Sequence, residues 1–327
     1  MKNIIFCADG TWDAPPQQTN VYRLYRALAT TPTQIALYDD GVGADGNRIE
    51  QLLGGAIGFG LFGKIKDGYQ QIAQLYEPGD GVYLFGFSRG AFTARSLAGM
   101  IAVCGLPSGS FDSHLVEQAF LAYRTPLLRQ NILAQLAAYK LDDAKLQMVG
   151  VWDTVGSLGI PALVGGVDPI LYGFLDTSLH PDVLCACQAL AIDEKRKEFP
   201  PTLWTTPASA QQVIEQVWYC GVHSDVGGGY GQPGLADIPL RWMMGQARAR
   251  GLVFAAAPSV DAGTALLELH NSWSILWGIP QSRTIAPSAT LANSVSLRLQ
   301  GDGSYLPPSL TLAGRQPAAS YTIETVV

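Results

Sequence analysis

The segment Gly86-Phe87-Ser88-Arg89-Gly90 sets a serine between two glycines, after an apolar run and before a helical pattern. On a strand-to-helix turn, small flanking residues let the backbone bend sharply and leave the hydroxyl exposed. The following helix points its positive end at charge developing beside the serine. Such a serine is a candidate nucleophile for acyl transfer. The same pattern also arises in a plain βα turn, so the chemistry needs a base and an acid as well.

Four histidines can be weighed as the base: His114, His180, His223 and His270. All follow Ser88, as the chain order serine, acid, histidine requires. His114 lies in a helical pattern, His180 in a loop before Pro181, and His270 near an expected helix end; each reads as structural. His223 directly follows the apolar run Val213–Cys220 and precedes Gly227-Gly228-Gly229. Active-site groups of open α/β sheets gather at the carboxyl ends of strands, so His223 is the expected base. Asp153, which ends the run Leu146–Trp152, is the expected acid, and Asp225 is its rival. The Arg89 backbone N–H is the first expected oxyanion donor. The second is the Gly10 or Thr11 amide, in the loop after the run Ile4–Cys7. Asp9, in that loop, either caps the turn or hydrogen-bonds active-site groups.

The elements that must hold these residues alternate along the chain. Ile4–Cys7, Gln34–Tyr38, Val82–Phe87, Leu146–Trp152 and Val213–Cys220 read as strands. Val21–Ala29, Lys64–Tyr76, Arg89–Val103, most of Ser113–Tyr139 and Ile238–Arg250 read as helices. Strands separated by helices predict an α/β fold, a mostly parallel central sheet flanked by helices with cap and loop insertions. Pro161–Asp182 reads as a long connection beside the sheet and a candidate cap. The tail from Asn293 reads as polar and strand-like. With no convincing linker, residues 1–327 are expected to form one domain.

Composition narrows the function classes. Hydrophobic residues make up 48% of the 327 and charged ones 15%, which excludes disorder. The net charge of −6, with no basic cluster, argues against a nucleic-acid surface. Five cysteines without a CxxC read as reduced core residues. No HExxH or CxxC suggests zinc. No cofactor is expected, although Asp9, Asp39, Asp40, Asp45, Asp153 and Asp225, at or near strand ends, leave an oxygen-ligated Ca²⁺ or Mg²⁺ open. Gly58-Phe59-Gly60-Leu61-Phe62-Gly63 fits G-x-G-x-x-G but follows no strand, so the reading is an apolar mobile flap rather than a dinucleotide loop. The apolar start, Ile4-Ile5-Phe6-Cys7-Ala8, is too short for a signal peptide. Cytoplasmic synthesis is expected, with any export independent of an N-terminal signal.

Four spaced motifs together resemble a known family: Phe6-Cys7-Ala8-Asp9-Gly10-Thr11-Trp12, Gly86–Arg95, Gly150-Val151-Trp152-Asp153-Thr154-Val155-Gly156 and Gly221–Tyr230. They are similar to the α/β-hydrolases typified by the catalytic domains of phospholipase effectors of bacterial type VI secretion. The resemblance covers about residues 1–250, leaving 251–327 as a tail packed on the core. It implies an α/β-hydrolase fold and a Ser-His-Asp esterase, lipase or phospholipase A activity, with Ser88 and His223 carried over firmly and Asp153 less so. It also implies an ester or phospholipid substrate, transient membrane contact, and an immunity or secretion-apparatus partner. Two departures stand out: Gln188 occupies a position where the family often has histidine, and the tail is short. The rival readings are a non-catalytic interaction module on a hydrolase fold and an amide or peptide acyl hydrolase.

Overall fold

Alternating side chains in the strands cover both faces of one sheet. In a strand successive residues point to opposite faces. Ile4, Phe6, Val82 and Leu84 enter one buried cluster, while Ile5, Cys7, Tyr83 and Phe85 enter another. A sheet apolar on both sides must be covered on both sides, which is what helices joining parallel strands do. The computed structural model describes residues 1–10, 18–40, 56–139, 141–155, 179–205 and 209–327.

Counting only the strands of the main sheet, these are β1 (Asn3–Ala8), β2 (Gln34–Asp39), β3 (Gly81–Phe87), β4 (Leu146–Trp152), β5 (Cys185–Ala191), β6 (Val213–Tyr219), β7 (Thr290–Ala292) and β8 (Thr322–Glu324). Their order is β8-β7-β6-β5-β4-β3-β1-β2, and the pairings are parallel throughout. The helices are α1 (Asn20–Ala27), α2 (Ala56–Leu75), α3 (Arg89–Cys104), α4 (Ser113–Arg124), α5 (Arg129–Leu136), α6 (His223–Gly227), α7 (Asp237–Arg248) and α8 (Asn293–Gly301). Residues of α2, α3 and α4 pack on the Ile4 face, and residues of α1 and α7 on the Ile5 face. This is the mostly parallel, helix-flanked sheet the alternation predicts, and it is consistent with the α/β-hydrolase-like fold the resemblance implies.

Register brings the functional strand ends together. Ala8 pairs with Gly86, Phe87 with Trp152, and Trp152 with Ala189. Asp9, Ser88 and Asp153 therefore leave the sheet at one edge, from three neighbouring strands.

Three segments differ from the sequence reading. Cys185–Ala191 is a buried central strand that the pattern did not flag. Its run Cys-Ala-Cys-Gln-Ala-Leu-Ala has no β-branched residue, and burial between β4 and β6 overrides that low propensity. The glycine-rich stretch expected as a flap lies within α2, where Leu61 and Phe62 are buried. Burial of these side chains offsets the roughly 1 kcal/mol each glycine costs a helix. The tail from Asn293 opens with α8 rather than a strand; β7 precedes it, and β8 closes the sheet edge. Around these elements Leu190, Trp218, Leu291, Val295 and Tyr321 form a third buried cluster that ties the tail to the sheet. Residues 161–178 of the expected cap lie outside the described residues. The five cysteines are buried and unbridged.

Candidate active site

Ser88 occupies the turn between β3 and α3 with φ +56°, a left-handed conformation rare for a residue with a side chain. The flanking glycines explain how the chain achieves it. A Cβ on Gly86 would lie 2.3 Å from the Gly90 carbonyl oxygen, and one on Gly90 would lie 2.2 Å from that of Ala8. Both distances are far inside van der Waals contact, so only glycine lets α3 start this close to the ends of β1 and β3. The Ser88 N–H donates to the Trp152 carbonyl at 3.1 Å, which holds the elbow against β4. The Arg89 N–H lies in the first turn of α3, at the positive end of the helix.

His223 begins α6, immediately beyond β6, and its ring lies 4.6 Å from that of Phe87, the residue before Ser88. The Phe199 ring meets it edge-on at 5.0 Å. The Nδ1 atom stands 2.6 Å from Asp153 Oδ2. Asp153 follows β4 with φ +40°, and its carboxylate is held from several sides. Oδ1 accepts from the Ala191 N–H at 3.0 Å and from Arg283 at 2.6 Å; Oδ2 also accepts from Arg283, at 2.9 Å. Ser88 is 6%, Asp153 0% and His223 5% exposed, so the group sits in a low-dielectric pocket.

Burial alone would raise the Asp153 carboxyl, but the Arg283 guanidinium and the His223 hydrogen bond outweigh it and hold it well below the carboxylate range. Burial lowers the His223 imidazole below its ordinary 6.5, only partly offset by Asp153. Glu194 accepts from the His223 backbone N–H at 3.2 Å. Burial would raise its carboxyl, yet two contacts from the Arg196 guanidinium bring it down to about 2.

Asp225, the rival acid, is engaged elsewhere. It accepts from the Val222 and His270 N–H groups and stands 2.6 Å from His270 Nδ1, while His270 stacks on Tyr230. Asp9 accepts from the Gly10 N–H at 2.9 Å, the Thr19 hydroxyl at 2.6 Å and the Tyr38 hydroxyl at 2.7 Å. The Gly10 amide is thus engaged by Asp9, and Thr11 lies outside the described residues. His180 pairs with Asp182 beyond α5 in a loop. Among the described residues, no group of three or more His, Cys, Asp or Glu side chains is placed to hold a metal ion.

Three neighbours of the site escape motif reasoning: Arg283, Glu194 and Trp277. Arg283 lies in a loop with no pattern around it. Glu194 had a readable signal, an acidic residue just past the end of an apolar run at Ala189–Ile192. Gln188, at the position noted for histidine, accepts from the Thr154 hydroxyl and donates to the Thr202 carbonyl inside the sheet.

Residues 2–246 match the family described as the type VI secretion system phospholipase effector, Tle1-like, catalytic domain. The chain belongs to the Tle1-like family. The general class that goes with membership is a hydrolase of the phospholipase type. The Tle1-like segment contains Ser88, Asp153 and His223, whereas Arg283 and Trp277 lie beyond it. An uncharacterized protein of Saccharomyces cerevisiae is 34% identical over 187 residues, covering 49% of this chain. The match spans about a quarter of that relative, 27% of its length. A crystal structure of an uncharacterized Pseudomonas aeruginosa protein aligns over 77% of this Tle1-like chain and 46% of its own, with TM-score 0.45 and 16% identity. No described helix is long and apolar enough to cross a membrane.

Proposed function

We propose that this protein is a serine hydrolase that cleaves carboxylic acyl esters of phospholipids. The observation that carries the reading is Ser88 at φ +56° on the β3–α3 turn, next in the chain to Phe87, whose ring packs on that of a histidine with its Nδ1 facing a buried aspartate. Ser88 Oγ attacks the ester carbonyl carbon, and His223 Nε2 takes the hydroxyl proton. Asp153 keeps the other ring nitrogen protonated and stabilises the imidazolium that forms. The negative charge on the carbonyl oxygen meets the Arg89 N–H at the start of α3, a donor worth about 3–4 kcal/mol. The tetrahedral intermediate then collapses, the leaving alcohol receives the proton from His223, and the acyl group stays on Ser88. Water, deprotonated by the same histidine, releases the fatty acid.

Diacyl phospholipid vesicles incubated with the protein are expected to yield free fatty acid and lysophospholipid, and short-chain nitrophenyl esters to be hydrolysed. Release of a phosphorylated headgroup instead, or no turnover of either substrate by folded protein, would overturn the reading.

The surface beside the site favours a lipid over a soluble ester. Ile275 and Ile279 are each 83% exposed and flank Trp277, whose ring lies 5.7 Å from that of Phe199, which contacts His223. Exposed apolar side chains clustered at a site mark an interaction surface. Each isoleucine taken up by the acyl region is worth about 1.5–3 kcal/mol. The double variant Ile275→Asp/Ile279→Asp is therefore expected to lose at least about tenfold in vesicle hydrolysis. Its rate on a soluble short ester should stay near the parent's. Equal loss on both substrates would assign the loop a structural role only.

The pH dependence follows from His223. The base works only when neutral, so activity is present above its pKa and lost as the pH falls through it. Burial lowers that pKa, so the acid limb of kcat/KM is expected below 6.5. A limb above that value, on a soluble ester, would contradict His223 as the base in this environment.

A further inference from the structure

We propose that Arg283 is a positioning residue of the hydrolytic site, orienting Asp153 toward His223 and offsetting the charge of its carboxylate. The inference rests on the serine hydrolase reading above but concerns a residue outside the family-matched segment of 2–246.

The geometry is that of a fork gripping a fork. One Arg283 terminal nitrogen donates to Asp153 Oδ1 at 2.6 Å and the other to Oδ2 at 2.9 Å. The same nitrogens donate to the Ala191 carbonyl at 2.7 Å and the Phe199 carbonyl at 2.8 Å. The guanidinium is thereby fixed to the end of β5 and to the 196–199 loop as well as to the carboxylate. Only a planar, multiply donating cation can make all four contacts at once. With the Ala191 N–H and His223 Nδ1 added, both Asp153 oxygens are committed and the carboxylate cannot rotate. Those contacts also hold the Asp153 backbone at φ +40°, a conformation that persists only where its surroundings fix it.

The charge balance matters equally. An isolated buried carboxylate 2.6 Å from an imidazole would draw a proton onto that ring and leave the base occupied. The charged groups around His223 are Asp153 from β4, Glu194 and Arg196 from the segment after β5, and Arg283 through Asp153. Asp225, on α6 itself, is engaged by His270. Each acid near the ring therefore has its own cation, Arg196 for Glu194 and Arg283 for Asp153. The imidazole stays neutral and able to accept the Ser88 proton.

The test uses the full chain, with Arg283→Gln and Arg283→Lys, and two readouts. The first is the titration of the His223 imidazole by NMR, assigned against a His223→Gln sample. The second is kcat/KM against pH on a soluble ester. Arg283→Gln is expected to move both the titration and the acid limb to higher pH by about one unit or more. Arg283→Lys keeps the charge but cannot bridge both oxygens. It is expected to leave the acid limb near the parent's and to lower plateau kcat about tenfold or more. A folded Gln variant whose His223 titration is unmoved, or moves to lower pH, overturns the proposal. So does a Lys variant with the parent's plateau kcat, a readout that stands if the Gln variant does not fold. The titration needs no turnover. A protein inactive on every ester that still shows the upward shift keeps the Arg283 assignment while the hydrolase reading fails.

Discussion

Ser88→Ala is expected to lower acyl-ester turnover by about 10⁴- to 10⁶-fold while leaving the thermal midpoint close to the parent's. The residue sits at the strand-to-helix turn with φ +56°, and alanine meets that conformation with the same Cβ. The backbone bonds that hold the turn, from the Ser88 N–H to Trp152 and from the Phe92 N–H to Ser88, do not involve the hydroxyl. In the proposed mechanism, what the substitution removes is the atom that forms the acyl-enzyme. Oxyanion donors and substrate binding remain, so a small rate above uncatalysed hydrolysis should persist. The measurement is fatty acid release from vesicles and nitrophenol release from short esters, with a melting curve on the same samples. A folded variant retaining more than about one hundredth of the parent rate would rule out Ser88 as nucleophile.

The second large effect is expected at Asp153→Asn, and it has two parts. An amide in place of the carboxylate cannot enforce the histidine tautomer, which lowers kcat by about 10⁴-fold at comparable triads. The same change leaves the Arg283 guanidinium buried beside a neutral group. Breaking one half of a buried ion pair costs about 3–5 kcal/mol, so the variant should melt well below the parent. The two parts separate in a double variant. Adding Arg283→Gln to Asp153→Asn should recover part of the lost stability, because no buried charge is then unpartnered, yet no activity. An Asn variant that melts with the parent and turns over within about tenfold of it would remove Asp153 from the acid's role.

Much of the fold is legible in local pattern. The runs around Ile5, Leu84 and Val149 are continuous and apolar, and the structure has strands there. The elbow is legible because its glycines serve a backbone clash that any Cβ would create, so the constraint is written in residue type. The strand Cys185–Ala191 is not, because alanine and cysteine carry no strand preference and only its neighbours make it one. The tail eludes pattern for a related reason: β7 and β8 are three residues long, and their pairing with the sheet is a tertiary fact.

The candidate site divides in the same way. His223 and Asp153 follow apolar runs directly, so strand ends point to both, but choosing Asp153 over Asp225 takes the 2.6 Å approach across 70 residues. The His270–Asp225 pair shows why sequence leaves that choice open: proximity in the chain put Asp225 beside His223, and folding gave it to another histidine. Arg283 has no local signature at all, since its partners lie 84 to 130 residues away.

That separation has a temporal side. A polypeptide emerges from its N-terminus, so Ser88, Asp153 and His223 leave the ribosome before Arg283 does. Arg283 comes 60 residues after His223, a delay of roughly 3–12 s at about 5–20 residues per second. Throughout that interval the nascent chain holds Ser88, Asp153 and His223 but neither the cation on Asp153 nor the strands β7 and β8. The buried carboxylate beside His223 thus gains its counter-charge only once the segment beyond the family-matched region has emerged and docked.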